Sequence, residues 1–260
     1  MPARRAAATE RIADLLASPP PPAAEEAAVE RGYLDLLGAT PPPSSGPVQD
    51  LMLTGALARV YERWWRPALG RVAKGALGPG MADERRIAAE MLSPAPGDRV
   101  LDVACGTGAF TRDFGRLVGR EGLAAGIDVS ATMLAQAVEQ TAREALPQVG
   151  FVRGDAERRT FADGAFDAIC CFAALNLFSD AERALDRMTS ALAPGGRIAI
   201  FTSVRGRSTP LRAAEGLVEW RTGMRMFERR EVVEALVDRG YVDVRQRITG
   251  VTQFVGGLLP

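Results

Sequence analysis

The stretch Asp98-Arg-Val-Leu-Asp-Val-Ala-Cys-Gly-Thr-Gly-Ala-Phe110 decides how this chain is read. It opens on an apolar run, Val100, Leu101, Val103 and Ala104, which suits a strand buried on both faces. Gly106-Thr107-Gly108 breaks the run, and residues 109–117 continue with helical spacing. Strand, glycine turn and helix together let a backbone approach a ligand closely at a helix N-terminus.

Outward from this stretch, strand and helix alternate. Strands are expected at residues 100–104, 123–127, 150–153, 168–173 and 197–202, and helices at 109–117, 131–142 and 181–192. Such alternation implies a parallel sheet covered on both faces, with ligands at the carboxyl ends of the strands. The end of the chain differs: a helix over 229–239, then strands over 242–248 and 251–255 joined at Gly250. A turn that short forces an antiparallel pair. The expected fold is α/β: a Rossmann-like, mostly parallel, seven-stranded sheet closed by an antiparallel C-terminal hairpin.

Residues 1–81 read as a helical N-terminal extension with Pro-rich linkers, a lid or cap on a domain formed by 82–260. Ile12, Leu15 and Leu16 mark one amphipathic helix, residues 23–37 a second ending at Gly38, and 41–47 a linker. A third helix carries Tyr61, Trp64 and Trp65; the tryptophans suit packing anchors or a stacking surface. Residues 81–92 form a further helix, closed by Pro94 and Pro96.

Composition narrows the chemistry. The chain has 32 basic and 32 acidic side chains and no histidine. Zero net charge argues against a broad nucleic-acid footprint. The lack of imidazole excludes Ser-His-Asp catalysis and histidine-ligated metals. Cys105, Cys170 and Cys171 form no Cys-x-x-Cys pair, so neither a metal site nor a disulfide framework is expected, and a reducing cytoplasm fits. No apolar run is long enough to span a bilayer, so no membrane insertion is expected.

The glycine turn departs from both phosphate-binding patterns. A dinucleotide fingerprint needs a third glycine where Thr111 stands, and a P-loop needs a lysine where none is present. Asp128 ends the second strand, where a carboxylate can accept both hydroxyls of a ribose. Gly154-Asp155-Ala156 ends the third and offers an acid and a backbone N–H to an adenine edge. Two acids and no opposing cation suit a ribose and adenine without pyrophosphate, and would also welcome a sulfonium.

These segments resemble the class I S-adenosylmethionine-dependent methyltransferases, in particular the ubiquinone/menaquinone biosynthesis C-methyltransferase group. The resemblance is carried by Val100–Gly108, Gly126–Leu134, Gly154–Glu157, Phe161–Asp167 and Leu192–Arg197, and covers residues 82–255. It implies that Asp102, Ala104, Gly106 and Gly108 surround the methionine part of S-adenosylmethionine. It further implies that Asp128 holds the ribose, Val129 and Met133 flank the adenine, Asp155 and Ala156 read its edge, and Phe172 lies near the transferred methyl. Pro194-Gly195-Gly196 is expected to be a tight turn leading into the fifth strand.

The acceptor is less legible. Where many members of the family carry histidine, this chain has Leu175-Asn176-Leu177-Phe178, and asparagine orients a substrate without deprotonating it. Asn176 reads equally as a helix-entry residue. Gly32–Leu37 and Leu57–Trp65 are similar to the region after a zinc ribbon in guanine-N1 rRNA methyltransferases, but residues 1–31 contain no cysteine. That resemblance places Tyr61 among residues that close over the cofactor. The expectation is methyl transfer to a small apolar or aromatic acceptor at a C-, O- or N-nucleophile, under a lid that includes residues 207–226. An RNA base methyltransferase that lost its ribbon, and a cyclase-like or regulatory user of the fold, stay open, as does an assembly of two copies.

Overall fold

The computed structural model describes residues 2–39 and 80–260. The linker over 41–47 and the helix carrying Tyr61, Trp64 and Trp65 lie outside the described residues.

The elements in chain order are α1 (Pro2–Ala13), α2 (Pro22–Arg31), β1 (Leu34–Asp35), α3 (Met81–Leu92), β2 (Arg99–Val103), α4 (Ala109–Val118), β3 (Leu123–Asp128), α5 (Ala131–Arg143) and β4 (Val149–Arg153). They continue as β5 (Phe166–Phe172), α6 (Ala181–Ala191), β6 (Leu192–Ser203), α7 (Thr209–Thr222), α8 (Glu231–Asp238), β7 (Val242–Thr249) and β8 (Thr252–Leu258). One sheet runs β1-β4-β3-β2-β5-β6-β8-β7. Its pairs from β1 through β6 are parallel, while β6–β8 and β8–β7 are antiparallel.

Period-2 alternation divides the core between the two faces. Leu101 and Val103 face one cluster, with Ala8 and Ile12 of α1, Leu185 and Met188 of α6 and Leu236 of α8. Val100 faces the other, with Ile87 of α3, Phe114 of α4 and Leu134 of α5. Covering both faces is what makes the central strands apolar throughout. Among the described residues no helix is long and apolar enough to cross a membrane.

The mostly parallel sheet with its antiparallel hairpin is as expected, but it has eight strands rather than seven. The additional strand lies inside the helix expected over 23–37. That helix stops at Arg31 because Gly32 turns left-handed at φ 79° and returns its N–H to Ala28. Leu34 and Asp35 then pair with Val152 and Arg153. Two residues carry no readable periodicity, so only the open edge of β4 reveals this strand. Arg153 secures it: Nη1 donates to both Asp35 oxygens at 3.1 and 3.2 Å and to the Gly38 carbonyl at 2.7 Å.

Two further boundaries move. Leu15 and Leu16 fall beyond α1, and Leu16 forms an isolated bridge with Phe161. Pro194-Gly195-Gly196 lies within β6 rather than ahead of it, because the Gly195 N–H donates to Leu259 and the Leu259 N–H to Gly196. The α1 helix sits close to the sheet: a Cβ at Gly150 would lie 2.7 Å from Ile12 Cδ1.

Candidate functional site

Parallel strands end together, so the loops leaving adjacent strands gather at one edge. Here the loops after β2, β3 and β4 meet, with the end of β5 beside them. Asp102 lies near the end of β2 and is 3% exposed. Its Oδ2 accepts the Thr111 hydroxyl at 2.6 Å, and the Cys170 thiol lies 3.4 Å from Oδ1. The chain then leaves the strand through three left-handed residues, Ala104 at φ 56°, Gly106 at 56° and Gly108 at 71°. An alanine in that region costs about 1–2 kcal/mol, and such strain collects at ligand sites.

The two turn glycines do different work. A Cβ on Gly108 would lie 2.7 and 2.8 Å from ring carbons of Phe151 and 3.1 Å from Ala137. Gly108 is therefore demanded by packing of α4 as well as by its φ. Among the described residues, a Cβ on Gly106 would meet nothing within 4 Å. Gly106 thus leaves room for a close approach to its backbone.

Asp128 joins this turn to the next loop. Its Oδ2 accepts the Gly106 N–H at 2.8 Å and its Oδ1 the Ser130 N–H at 2.8 Å. Burial raises its pKa above the ordinary carboxylate value, against the opposing pull of the backbone donors at Ser130, Gly106 and Val129. With both oxygens anchored by backbone, its remaining lone pairs are held in fixed directions, suited to a diol. Ser130 also caps α5 by accepting the Met133 N–H at 3.4 Å. Val129 is half-buried, and Met133 is 5% exposed.

Asp155 follows β4; its Oδ1 accepts the Glu157 N–H at 2.9 Å, and the Gly154 N–H donates to the Asp128 carbonyl at 3.1 Å. Ala156 is partly buried against the core. Phe172 closes β5 and packs on Phe110 at 4.8 Å and Phe254 at 6.3 Å between ring centroids, with Phe201 stacked on Phe254 at 4.4 Å. Ala173 follows at φ 59°, its N–H donating to Phe201.

The loops thus bring together Asp102, Ala104, Gly106, Gly108, Asp128, Val129, Met133, Asp155, Ala156 and Phe172 at the ends of four neighbouring strands. Asn176 lies in a short 3-10 turn after β5, buried, with its carbonyl accepting the Arg225 N–H at 2.9 Å. Tyr61 lies outside the described residues. In and beside the segment expected as a lid, residues 207–226, Trp220 is 80% exposed, whereas Phe227 is 1% exposed and belongs to the core.

Sequence reading passed over Thr111, Ser130, Ala173, Phe201 and Phe254. Thr111 was visible only as an interruption of a glycine pattern, and its bond to Asp102 depends on the turn that brings α4 back against β2. Ser130 had a signal, an N-cap residue ahead of a helical run. A left-handed alanine and a cross-sheet aromatic pair leave none.

The cysteines do not supply a nucleophile. Burial, then the Asp128 and Asp102 carboxylates, pushes the Cys105 thiol up; burial and Asp102 do the same to Cys170 and Cys171. All three stay protonated at neutral pH. Among the described residues no group of three or more His, Cys, Asp or Glu is placed to hold a metal.

Residues 100–196 match the family model described as a methyltransferase domain. The ubiquinone/menaquinone biosynthesis C-methyltransferase UbiE of Teredinibacter turnerae is 34% identical over 134 residues, covering 51% of this chain and 54% of the relative. The chain thus aligns with about half the length of the curated relatives it matches. Among solved structures, phosphoethanolamine N-methyltransferase 2 of Haemonchus contortus, in complex with S-adenosyl-L-methionine, superposes with a TM-score of 0.64 at 18% identity, covering 80% of this chain and 60% of that one. The cyclase SpnF superposes at 0.63 with 20% identity, covering 84% and 98%. Motif and matched residues agree: residues 100–196 carry a methyltransferase domain, on the fold that the solved methyltransferase shares.

Proposed function

We propose that the protein transfers a methyl group from S-adenosylmethionine to a small apolar or aromatic acceptor. The observation that carries the reading is the Asp128 carboxylate, fixed by Gly106 and Ser130 beside an open glycine cradle. Bound S-adenosylmethionine supplies an electrophilic methyl on a sulfonium. In this reading Asp128 accepts the ribose hydroxyls, and Asp155 with the Ala156 backbone takes the adenine edge. Val129 and Met133 flank the ring. The Gly106 cradle, with Asp102 held by Thr111, takes the methionine end.

Methyl transfer is an in-line displacement, so alignment and exclusion of water supply most of what the protein must provide. Phe172 and its neighbours Phe110, Phe254 and Phe201 give a water-poor wall beside the β5 end, which suits an aromatic acceptor. The protein has no histidine, its thiols are held protonated, and Asn176 orients without taking a proton. An acceptor that is already acidic, such as a phenol or enol carbon, matches that inventory. The likeness to C-methyltransferases supports carbon as the nucleophile. Because one fold serves a methyltransferase and a cyclase, fold alone does not choose the reaction.

The test is calorimetry of S-adenosylmethionine and S-adenosylhomocysteine on wild type and Asp128→Ala, then a labelled-methyl screen of phenols, quinols and RNA. Binding unchanged in Asp128→Ala removes the ribose assignment. Transfer to RNA in preference to quinols overturns the acceptor class. Tight cofactor binding without S-adenosylhomocysteine formation points to a non-transferase.

A further inference from the structure

Asp35 of β1 and Asp128 of β3 both stand in register with Arg153 of β4, so an acid, a base and an acid lie side by side on three adjacent strands. Arg153 serves the two sides differently. Its Nη1 meets both oxygens of Asp35, while its Nε donates to the Val129 carbonyl at 3.1 Å. The Arg153 side chain is 13% exposed and that of Asp35 3%, so the pair is largely shielded from water. Asp35 is itself fixed by the Leu37 and Gly38 N–H groups, which donate to its Oδ1 at 3.1 and 2.9 Å.

The bond to Val129 matters because of what the other end of the same peptide does. Its N–H is that of Ser130, which donates to Asp128 Oδ1 at 2.8 Å. A peptide unit is planar, so holding its oxygen and its N–H together fixes its plane. Arg153 therefore sets the peptide that sets one oxygen of Asp128. The guanidinium is held for this task at its far end, by Asp35 and by the Gly38 carbonyl at 2.7 Å. An arginine side chain without such partners regains its rotamer freedom and loses that placement.

We infer, on the proposed assignment of Asp128 to the ribose hydroxyls, that Arg153 is a positioning residue for that carboxylate and that docking of β1 and binding of the cofactor are coupled through it. With β1 in place the loop after β3 is presented ready-made. With β1 detached, Arg153 loses its counter-charge and the peptide between Val129 and Ser130 loses its restraint, so the ligand must bear the cost of ordering the loop. Such coupling is reciprocal: whatever β1 adds to cofactor affinity, the bound cofactor returns to β1 as protection against opening. The N-terminal extension thus acts on the site from the edge of the sheet, at Asp35.

The experiment measures amide hydrogen exchange of the full chain with and without saturating S-adenosylhomocysteine. It follows Leu36, whose N–H donates to the Arg153 carbonyl, and Gly240, whose N–H donates to Val237 between α8 and β7 at the opposite edge of the sheet. Ligand should slow Leu36 about fivefold or more beyond its effect on Gly240, the low end of coupling between sites. In calorimetry Asp35→Asn, which keeps an acceptor for Leu37 and Gly38 but removes the charge, should weaken S-adenosylhomocysteine by a similar factor. Arg153→Gln should do at least as much, and the double variant no more than Arg153→Gln alone, because both act along one line of contacts. Equal slowing at Leu36 and Gly240 is global stabilisation and overturns the inference, as does wild-type affinity in Asp35→Asn or an additive loss in the double variant. Should Asp35→Asn fail to fold, exchange in the wild type decides alone. A wild type that does not bind S-adenosylhomocysteine refutes the cofactor assignment and the inference with it, whereas binding without a preferential effect at Leu36 refutes the coupling only.

Discussion

The contrast between Gly106 and Gly108 gives a sharp test, because the same substitution at two positions two residues apart should fail in different ways. Gly106→Ala adds a methyl into open space and places alanine at φ 56°. Its cost is the left-handed conformation alone, about 1–2 kcal/mol. Gly108→Ala incurs the same conformational cost at φ 71° and also drives Cβ to 2.7 Å from the Phe151 ring. Overpacking of that kind adds about 1–3 kcal/mol, so the total is about 2–5 kcal/mol. For a domain of this size that corresponds to a melting shift of roughly 2–8 °C for Gly106→Ala against roughly 4–20 °C for Gly108→Ala.

The ligand should rank the pair the other way, since the added methyl at Gly106 occupies the cradle. Urea unfolding paired with S-adenosylhomocysteine calorimetry measures both. We expect Gly106→Ala to remain folded and lose binding, and Gly108→Ala to lose stability first. Phe151→Leu should recover part of the Gly108→Ala loss, because the clash is with the ring. Equal destabilisation of the two single variants, or no recovery in the double variant, would refute the assignment of Gly108 to packing.

Three further outcomes are expected. Burial raises the Asp128 pKa above the ordinary carboxylate value, so on acidification its charge is lost at higher pH than that of an ordinary aspartate. Burial of that charge disfavours the fold above the raised value and is relieved below it; acceptance of ribose hydroxyls follows the opposite course. Cofactor affinity should therefore fade on acidification earlier than for an ordinary aspartate, and in Asp128→Asn it should be weak and nearly flat with pH; parallel curves would count against it. Arg153→Ala strips the buried Asp35 of one cation, leaving the half-exposed Arg31 and the Leu37 and Gly38 N–H donors, and should cost about 1–3 kcal/mol. Hydrogen exchange should rise at Leu36, whose N–H donates to the Arg153 carbonyl. Thr111→Val removes the 2.6 Å bond to Asp102 and should cost about 1.5–3 kcal/mol in denaturant unfolding, with Thr111→Ser restoring most of it.

Sequence alone pointed to S-adenosylmethionine as the cofactor and determined a mostly parallel sheet ending in an antiparallel hairpin. Asp98–Phe110 was legible because a buried strand, a left-handed glycine turn and a helix start each have local physical requirements that leave a mark on residue type. The same holds for the short turn at Gly250, which compels antiparallel β7 and β8. Missing signatures were informative too: Thr111 in place of a third glycine and no lysine in the turn count against a phosphate ligand before any geometry is known.

Only the tertiary structure decided the rest. Leu34–Asp35 becomes a strand because the edge of β4 offers unpaired backbone and Arg153 offers charge, neither of which is a property of Leu34 or Asp35. Gly106 and Gly108 read alike in a motif, yet one faces open space and the other a phenylalanine from β4. Thr111 looked like a defect until α4 folded back and set its hydroxyl on Asp102. Local chemistry fixes which turn forms; what that turn meets from elsewhere in the chain is settled by packing.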